Sequence, residues 1–528
     1  MDVVAIYAIT AGGIFAALFL TRTLLYLSSW SKFFSILLWG PWTRISVLFH
    51  ISYAAISILL IFFRIKSWAG AGRRAGELAL VNLIFLLSAV HLSYLADLVG
   101  ITWRTCRQIH RAVGWMTVAL VSFHIVMEVQ GKQFRFPLHS LQNFFTLIGT
   151  GSLGVLSLLS LPWIRQLSYE IFLRGHHILT VLFVYGIRRH LSTRSWSSKI
   201  YLLAALGMFG LTLFLQTVTL FYRNGLFAGR GFPRAVVSFS AQTKEEHPVI
   251  TAAHIRVLLP RPLKVEAGQY INLWMPSVSL SSCMQTHPFT VASWSSDRQD
   301  TIDLLLQPRH GLTADLVRYA PTAKESSISF LALFTGPHGM IDDVSHYESV
   351  LVVTSGFGIA AAIPYLKKMI YGYDTCTFQV RRLHSVWEVK SVGKMAAALA
   401  LLNNLLKDDI MDNGYILHIS IYVRDGLEPN RFPFGEHDRV CLYQGPPDYQ
   451  NIVSIEASGD QIERLSNIRD KQGKTLVMGE CPNALMDYAL KFLSSVRSRR
   501  SAGSHKTVRE HLHQGMNLVE LEYQPCAD

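Results

Sequence analysis

Two pairs of histidines stand in apolar stretches at one spacing: His110 and His124 are fourteen residues apart, and so are His176 and His190. An α-helix turns about 100° and rises about 1.5 Å per residue, so fourteen residues make nearly four turns and about 21 Å. Each pair therefore shares roughly one helix face, with an imidazole near either side of a membrane. Two such helices side by side present two levels of paired imidazoles, which can hold two haems with histidine on both axial positions. Ionisable groups inside membrane segments are costly and mark function. One apolar histidine alone reads as a hydrogen-bonded packing residue. Two pairs at one spacing favour ligation, whereas His50 and His91 have no spacing partner and read as structural. His177 competes with His176. On an ideal helix His177 is offset from His190 by about 140° and His176 by about 40°. This favours His176 unless a π-bulge intervenes.

The elements that carry these residues are apolar. Half of the 528 residues are hydrophobic and 16% are charged. Seven candidate spans precede residue 225: Val3 to Leu27, Ile45 to Phe63, Leu78 to Ala96, His110 to Val129, Phe144 to Trp163, Ile171 to Arg189 and Ile200 to Tyr222. Each suits a hydrocarbon core of about 30 Å. Trp30, Trp39, Trp42, Trp103, Trp163 and Trp196 lie near span ends, where interfacial tryptophans belong. The first stretch lacks a basic leader and a small-residue cleavage site, so it is expected as a span.

Through Arg230 there are about 20 Lys and Arg against 5 Asp and Glu, while the remainder is near neutral. The excess lies in short loops between spans. It points to lipid headgroups, haem propionates and anionic substrates, and away from nucleic acid, which calls for a basic patch on a soluble surface. Six scattered cysteines suggest neither a disulfide framework nor a zinc site. The basic loops Arg64 to Arg74 and Arg188 to Lys199 leave the orientation open by the positive-inside rule.

From Arg234 to about Asp343, short strand patterns broken by Pro and Gly predict a small antiparallel barrel. It contains His287-Pro288-Phe289-Thr290. Phe289 would offer an aromatic edge, and Thr290 a hydrogen bond to a ring nitrogen or a ribityl hydroxyl. The segment from Ser349 reads as a buried strand, a glycine turn and a helix. Gly356 and Gly358 would let a pyrophosphate approach the backbone, and the helix N-terminus supplies free N–H groups. A second strand, CTFQV from Cys376, is expected to end at Arg381-Arg382. Basic residues there suit a ribose 2′-phosphate, hence NADPH over NADH. Further strands are expected at Tyr415 and at Thr475, the latter ending in Cys481-Pro482.

In this order the parts resemble the ferric reductase transmembrane family, closely related to the NADPH oxidases. The resemblance covers nearly the whole chain. It rests on YEIFLRGHHILTVLFVYGIRRH, GQYINLWMP, HPFT, QPRHGLT, TGPHG, GFGIAAAIPYL and RRLHSVWEV. It implies a multi-domain chain: an α-helical membrane bundle binding two haems over 1–229, a ferredoxin-reductase-like β-barrel FAD domain over 230–345, and an α/β NADPH-binding domain over 346–528. Gly268, Gln269, Tyr270, His287, Pro288, Phe289, Thr290 and Arg309 then fall to the flavin site. Gly356, Gly358, Pro364, Arg381 and Arg382 fall to the nucleotide. Cys481 matches a cysteine near the nicotinamide, although Cys-Pro-Asn stands here for the usual Cys-Gly-Pro. Tyr523 would take the place of the aromatic that shields the flavin in many relatives.

The implied activity is electron transfer from NADPH through FAD and two b-type haems to ferric chelates or siderophores, in iron uptake and homeostasis. Lys132, Arg135, His139, Arg188, Arg189 and Arg194 would attract the anionic chelates. Cupric ions are an alternative acceptor, and coupling to an iron-uptake transporter fits the role. A plasma membrane is expected, with the vacuolar membrane as alternative. Two rivals stay open: an oxidase that releases superoxide, and a transporter or sensor with a nucleotide-binding domain.

Overall fold

A computed structural model of the chain describes residues 44–130, 140–167, 169–191, 196–225, 228–244, 247–279, 286–308, 311–319, 327–410, 415–425, 439–459, 461–462, 473–480 and 516–521. It divides into two units, Met1–Leu95 with Trp103–Phe214, and Ala96–Thr102 with Leu215–Asp528.

The membrane-type part is helical: α1 (Arg44–Phe62), α2 (Trp68–Ser88), α3 (Leu92–Val99), α4 (Trp103–Gln130), α5 (Leu141–Leu159), α6 (Pro162–Leu167), α7 (Tyr169–His190) and α8 (Trp196–Arg223). Among the described residues, α4, α5 and α8 are long and apolar enough to cross a membrane. A fourth span results if α2 and α3, which meet at a 100° bend, count as one. This is fewer than the seven expected. Val3 to Leu27 lies outside the described residues. The expected span Leu78 to Ala96 is not one helix, because the chain turns after Ser88. Helix α2 begins earlier, at Trp68, with the Ser67 side chain capping Gly70 N–H. Arg74, expected in a loop, lies inside α2 and donates to the Phe63 carbonyl at 2.7 Å. It thereby caps the open carbonyl end of α1. Large apolar side chains such as Phe49, Ile171, Val181 and Phe214 stand exposed on these helices, which hydrocarbon tolerates and water does not.

The closely packed helix pairs are α2 with α4 and α5 with α7. Both rest on glycine. A Cβ on Gly72 would lie 2.5 Å from Met127 Cβ, and one on Gly186 would lie 2.7 Å from Gly149 Cα. Without a hydrophobic force between helices in lipid, such close backbone contact is what holds them together.

The second unit contains three further cores. The strands β1 (Arg234–Lys244), β2 (His247–Leu263), β3 (Tyr270–Trp274), β4 (His287–Thr290), β5 (Gln299–Leu306), β6 (Ser327–Leu331) and β7 (Leu333–His338) form antiparallel sheets in the orders β5-β2-β1-β6 and β4-β3-β7. They close on Val237, Ile255, Ile271, Leu304 and Phe334, all buried. The short helix α9 (Leu312–Val317) adds Leu312 and Leu316 to that core.

Beyond it lies a six-stranded parallel sheet, made of β8 (Ser349–Ser355), β9 (Arg382–Ser391), β10 (Leu417–Asp425), β11 (Val440–Gln444), β12 (Thr475–Glu480) and β13 (Met516–Glu520). Its order is β11-β10-β9-β8-β12-β13. Helices α10 (Ile359–Asp374), α11 (Val392–Ala396) and α12 (Leu399–Asp408) contribute to one core on this sheet, and α13 (Tyr449–Ser458) contributes to another. Strand β8 is buried through its first six residues, as parallel strands covered on both faces are.

The expected strand at Cys376 is absent. Cys376 takes φ +54°, and Thr377 and Phe378 donate their N–H groups to the Gly372 carbonyl at 2.8 and 3.0 Å. Phe378 occupies the space where a Cβ on Gly372 would stand. The segment's apolar residues thus fill the core from a loop, and the strand starts at Arg382.

Candidate functional site

The histidines of α4 face those of α7. The ring centres of His110 and His176 are 6.2 Å apart, and those of His124 and His190 are 6.4 Å apart. A metal lies about 2.0–2.1 Å from an imidazole nitrogen. That nitrogen is about 1.1 Å from its ring centre, so two imidazoles bracketing one metal ion have centres about 6.3 Å apart. Both levels have this separation, and the donor set is the one a six-coordinate haem takes. The ring of His177 is 6.3 Å from that of His176 and belongs to an exposed residue. At one level, Nδ1 of His124 is 2.9 Å from the Gly72 carbonyl, and Nδ1 of His190 is 3.1 Å from Thr146 Oγ1. Sequence reading passed over Gly72 and Thr146, since only tertiary approach brings α2 and α5 to these rings.

The nucleotide end is built as the strand–turn–helix pattern predicts. Strand β8 ends at Ser355, Gly356 to Gly358 form a tight turn, and α10 follows. Gly356 has φ +52°, which glycine tolerates without strain. Its carbonyl accepts the Trp387 indole N–H at 2.7 Å, so a buried side chain fixes the turn. A Cβ on Gly356 would meet nothing within 4 Å. The turn is open as a pyrophosphate would require, and Gly358 caps α10 without any side-chain bond to its first N–H groups. Pro364 is buried inside α10.

Arg381 and Arg382 are not at this edge. In the parallel register Ser349 sits beside Arg382 and Ser355 beside Glu388. The arginine pair is therefore at the opposite end of the sheet from Gly356, six residues or about 20 Å away. Arg382 is occupied there. Its guanidinium meets the buried Glu456 carboxylate at 2.8 to 3.1 Å, and Glu456 also bonds His384 Nδ1 at 2.9 Å. Arg381 is exposed and lies 3.9 Å from Glu348. The expected 2′-phosphate role of this pair is thereby corrected, because the strand begins where it was expected to end. Among the described residues, Lys390 and Arg424 lie at the glycine edge, near the ends of β9 and β10. Arg424 Nε donates to Glu388 at 2.5 Å, and Tyr449 Oη donates to Glu388 at 2.7 Å.

In the barrel, β3 and β4 are antiparallel partners, with Tyr270 beside Thr290 and Asn272 beside Pro288. Phe289 is 3% exposed and packs in the barrel core, so its expected role as an aromatic edge is corrected. Thr290 and Tyr270 are buried, whereas His287 and Pro288 are partly exposed. Gln269 Oε1 accepts the Glu266 N–H at 2.9 Å.

Gly268 has φ +86°, and a Cβ there would lie 2.3 Å from Tyr365 Oη. Gly339 has φ +111°, but its Cβ would make only an ordinary contact, 3.5 Å from the nearest atom. Gly268→Ala is therefore expected to lower the apparent Tm more than Gly339→Ala, which adds only backbone strain of about 1–3 kcal/mol. Parallel thermal melts of the two variants check this. Arg309, Cys481, Tyr523, Lys132, Arg135, His139 and Arg194 lie outside the described residues. Arg188 and Arg189 end α7, and the Arg189 guanidinium lies 5.1 Å from the Phe145 ring centre.

Three family descriptions match consecutive parts of the chain: "Ferric reductase like transmembrane component" over residues 75–187, "FAD-binding domain" over 244–346 and "Ferric reductase NAD binding domain" over 347–427. Together they cover more than half of its length. Similar proteins include "Probable cell surface ferric reductase kap2" of Aspergillus oryzae, 25% identical over 60% of this chain and 43% of that one. "Ferric reductase transmembrane component 3" of Saccharomyces cerevisiae is 27% identical over 41% of this chain and 28% of its own length. "Ferric/cupric reductase transmembrane component 1" of Candida albicans is 24% identical over 72% of this chain and 45% of its own length. The chain thus spans less than half the length of these relatives.

Proposed function

The chain belongs to the ferric reductase transmembrane family, and on that premise we propose that it is a membrane oxidoreductase carrying electrons from cytosolic NADPH across a bilayer to ferric chelates. The carrying observation is the pair of imidazole levels, 6.2 and 6.4 Å between ring centres. When bound, the nucleotide supplies a hydride, FAD converts two electrons to single ones, and two b-type haems carry them singly.

His110 and His176 hold one haem, and His124 and His190 the other. His176 is preferred to His177 because its ring is the one opposite His110. Gly356 and Gly358 admit the pyrophosphate at the head of α10. Discrimination of the 2′-phosphate passes from Arg381 and Arg382 to Lys390 and Arg424, which lie at the glycine edge. His287, Pro288 and Thr290 line the flavin side of the barrel. By the family resemblance, Arg309 is assigned to the flavin and Cys481 to the nicotinamide. The bundle has about seven spans, with the nucleotide domain in the cytosol. The plasma membrane is favoured by the cell-surface name of one relative. Cupric ions are a second acceptor, in keeping with the ferric/cupric relatives. The physiological setting is iron acquisition, in concert with an uptake transporter.

The test is a reduced-minus-oxidised absorbance spectrum of membranes holding the full chain, with NADPH as sole reductant. The expected result is a b-type signal of two haems per chain that ferric citrate discharges. Haem reduced by dithionite but not by NADPH would overturn the nucleotide and flavin assignment. Discharge by oxygen with superoxide release would favour an oxidase. Folded protein without haem would leave a transporter or sensor.

A further inference from the structure

The two imidazole levels differ in what stands behind the rings. At one level both Nδ1 atoms have a partner. The Gly72 carbonyl, 2.9 Å from His124 Nδ1, can only accept, so that nitrogen carries the proton. Thr146 Oγ1 gives its own hydrogen to the Gln142 carbonyl at 2.8 Å. It must therefore accept from His190 Nδ1–H, 3.1 Å away. Both rings are thus fixed as the Nδ1–H tautomer, with the lone pair on Nε2. The approach depends on glycine, since a Cβ on Gly76 would stand 3.3 Å from His124 Nδ1. At the other level, Nδ1 of His110 and of His176 are buried without a hydrogen-bond partner among the described residues.

A hydrogen bond donated by Nδ1–H makes an imidazole a stronger donor to its metal and fixes its orientation. A stronger axial donor favours ferric over ferrous iron. We propose that Thr146 and the Gly72 carbonyl are positioning groups that make the His124/His190 haem the lower-potential member of the pair. This rests on the two-haem reading above. The electron at that level is held less tightly and is the stronger reductant. No proton changes hands, since both Nδ1–H bonds persist in either oxidation state.

The test is a reductive titration of the purified full-length protein, followed at the haem absorbance band. Wild type is expected to show two midpoints. Thr146→Val removes the acceptor at constant shape and is expected to raise the lower midpoint while leaving the other in place. The expected shift is a threefold to tenfold change in the ferrous-to-ferric ratio at fixed poise, tenfold being about 59 mV for one electron. Thr146→Ser retains the hydroxyl and should restore the wild-type pair. Thr146→Ala gives the same reading should the valine variant not accumulate. A single wild-type midpoint would overturn the proposal, and so would a shift of neither or both midpoints, or Thr146→Ser behaving like Thr146→Val. Protein without haem would instead overturn the function itself.

Discussion

Alanine in place of His124 or His190 is expected to remove one of the two haem signals and to bring ferric-chelate reduction to background, with the second haem retained. The two rings bracket one position from opposite helices at 6.4 Å, so losing either leaves a one-sided site. The companion level is about 21 Å along the helix, too far to supply a substitute ligand and far enough to survive the loss. Removing even an outer-shell partner of a metal ligand costs about 10–100-fold, so loss of the ligand itself should exceed the upper end of that range. Haem per chain and the rate of ferric citrate reduction are measured together. His177→Ala serves as the internal comparison. Its ring is beside that of His176 and on an exposed residue, so both haems should remain. Loss of haem from His177→Ala with retention in His176→Ala would transfer the ligand role.

The histidine levels were legible because a helix has one rise and one angle per residue. Offsets of about 40° and 140° already separate His176 from His177 before any packing is known. The strand–glycine–helix at Ser349 was legible for a similar local reason. What failed depended on where an element begins. Reading the strand at Cys376 rather than Arg382 exchanges the two ends of a parallel sheet, and it sent the arginine pair to the wrong edge. Phe289 failed because its ring fills the barrel core, next to a Thr290 that is buried as well, and the four-residue string by itself does not say which side chains the barrel encloses. Arg74 falls between the apolar stretches Ile45 to Phe63 and Leu78 to Ala96 and so reads as loop, yet it caps α1 from within α2. Thr146 and Gly72 gave no sequence signal. A threonine in an apolar helix ordinarily bonds its own i−4 carbonyl, as Thr146 does, and its second contact depends on how α5 meets α7.

Arg382→Ala is expected to destabilise the protein strongly and to leave the preference between NADPH and NADH unchanged. Glu456 is 2% exposed, and its carboxylate depends on Arg382 and His384. Breaking a buried pair by removing one partner costs about 3–5 kcal/mol. Burial by itself would raise the Glu456 carboxyl, but the hydrogen bonds and charges of His384 and Arg382 outweigh it and hold the group at about 2, against 4.5 when free. A carboxylate depressed in this way contributes stability above pH 4.5, and the contribution is lost as pH falls toward 2. The difference corresponds to about 3 kcal/mol. On the neighbouring strand, burial and then the charges of Arg382 and His384 push His418 down to about 4 from 6.5. An unfolded chain takes up that proton first, so His418 lowers stability as pH falls from 6.5 to 4. Wild type should therefore lose stability in two acid stages. Arg382→Ala should begin lower at neutral pH, show a shallower stage below pH 4.5, and approach the wild-type curve near pH 2. Apparent Tm across pH 7 to 2 gives both curves, and the ratio of NADPH to NADH turnover is read on the same preparations. A large change in that ratio with little change in Tm would return Arg382 to the nucleotide site.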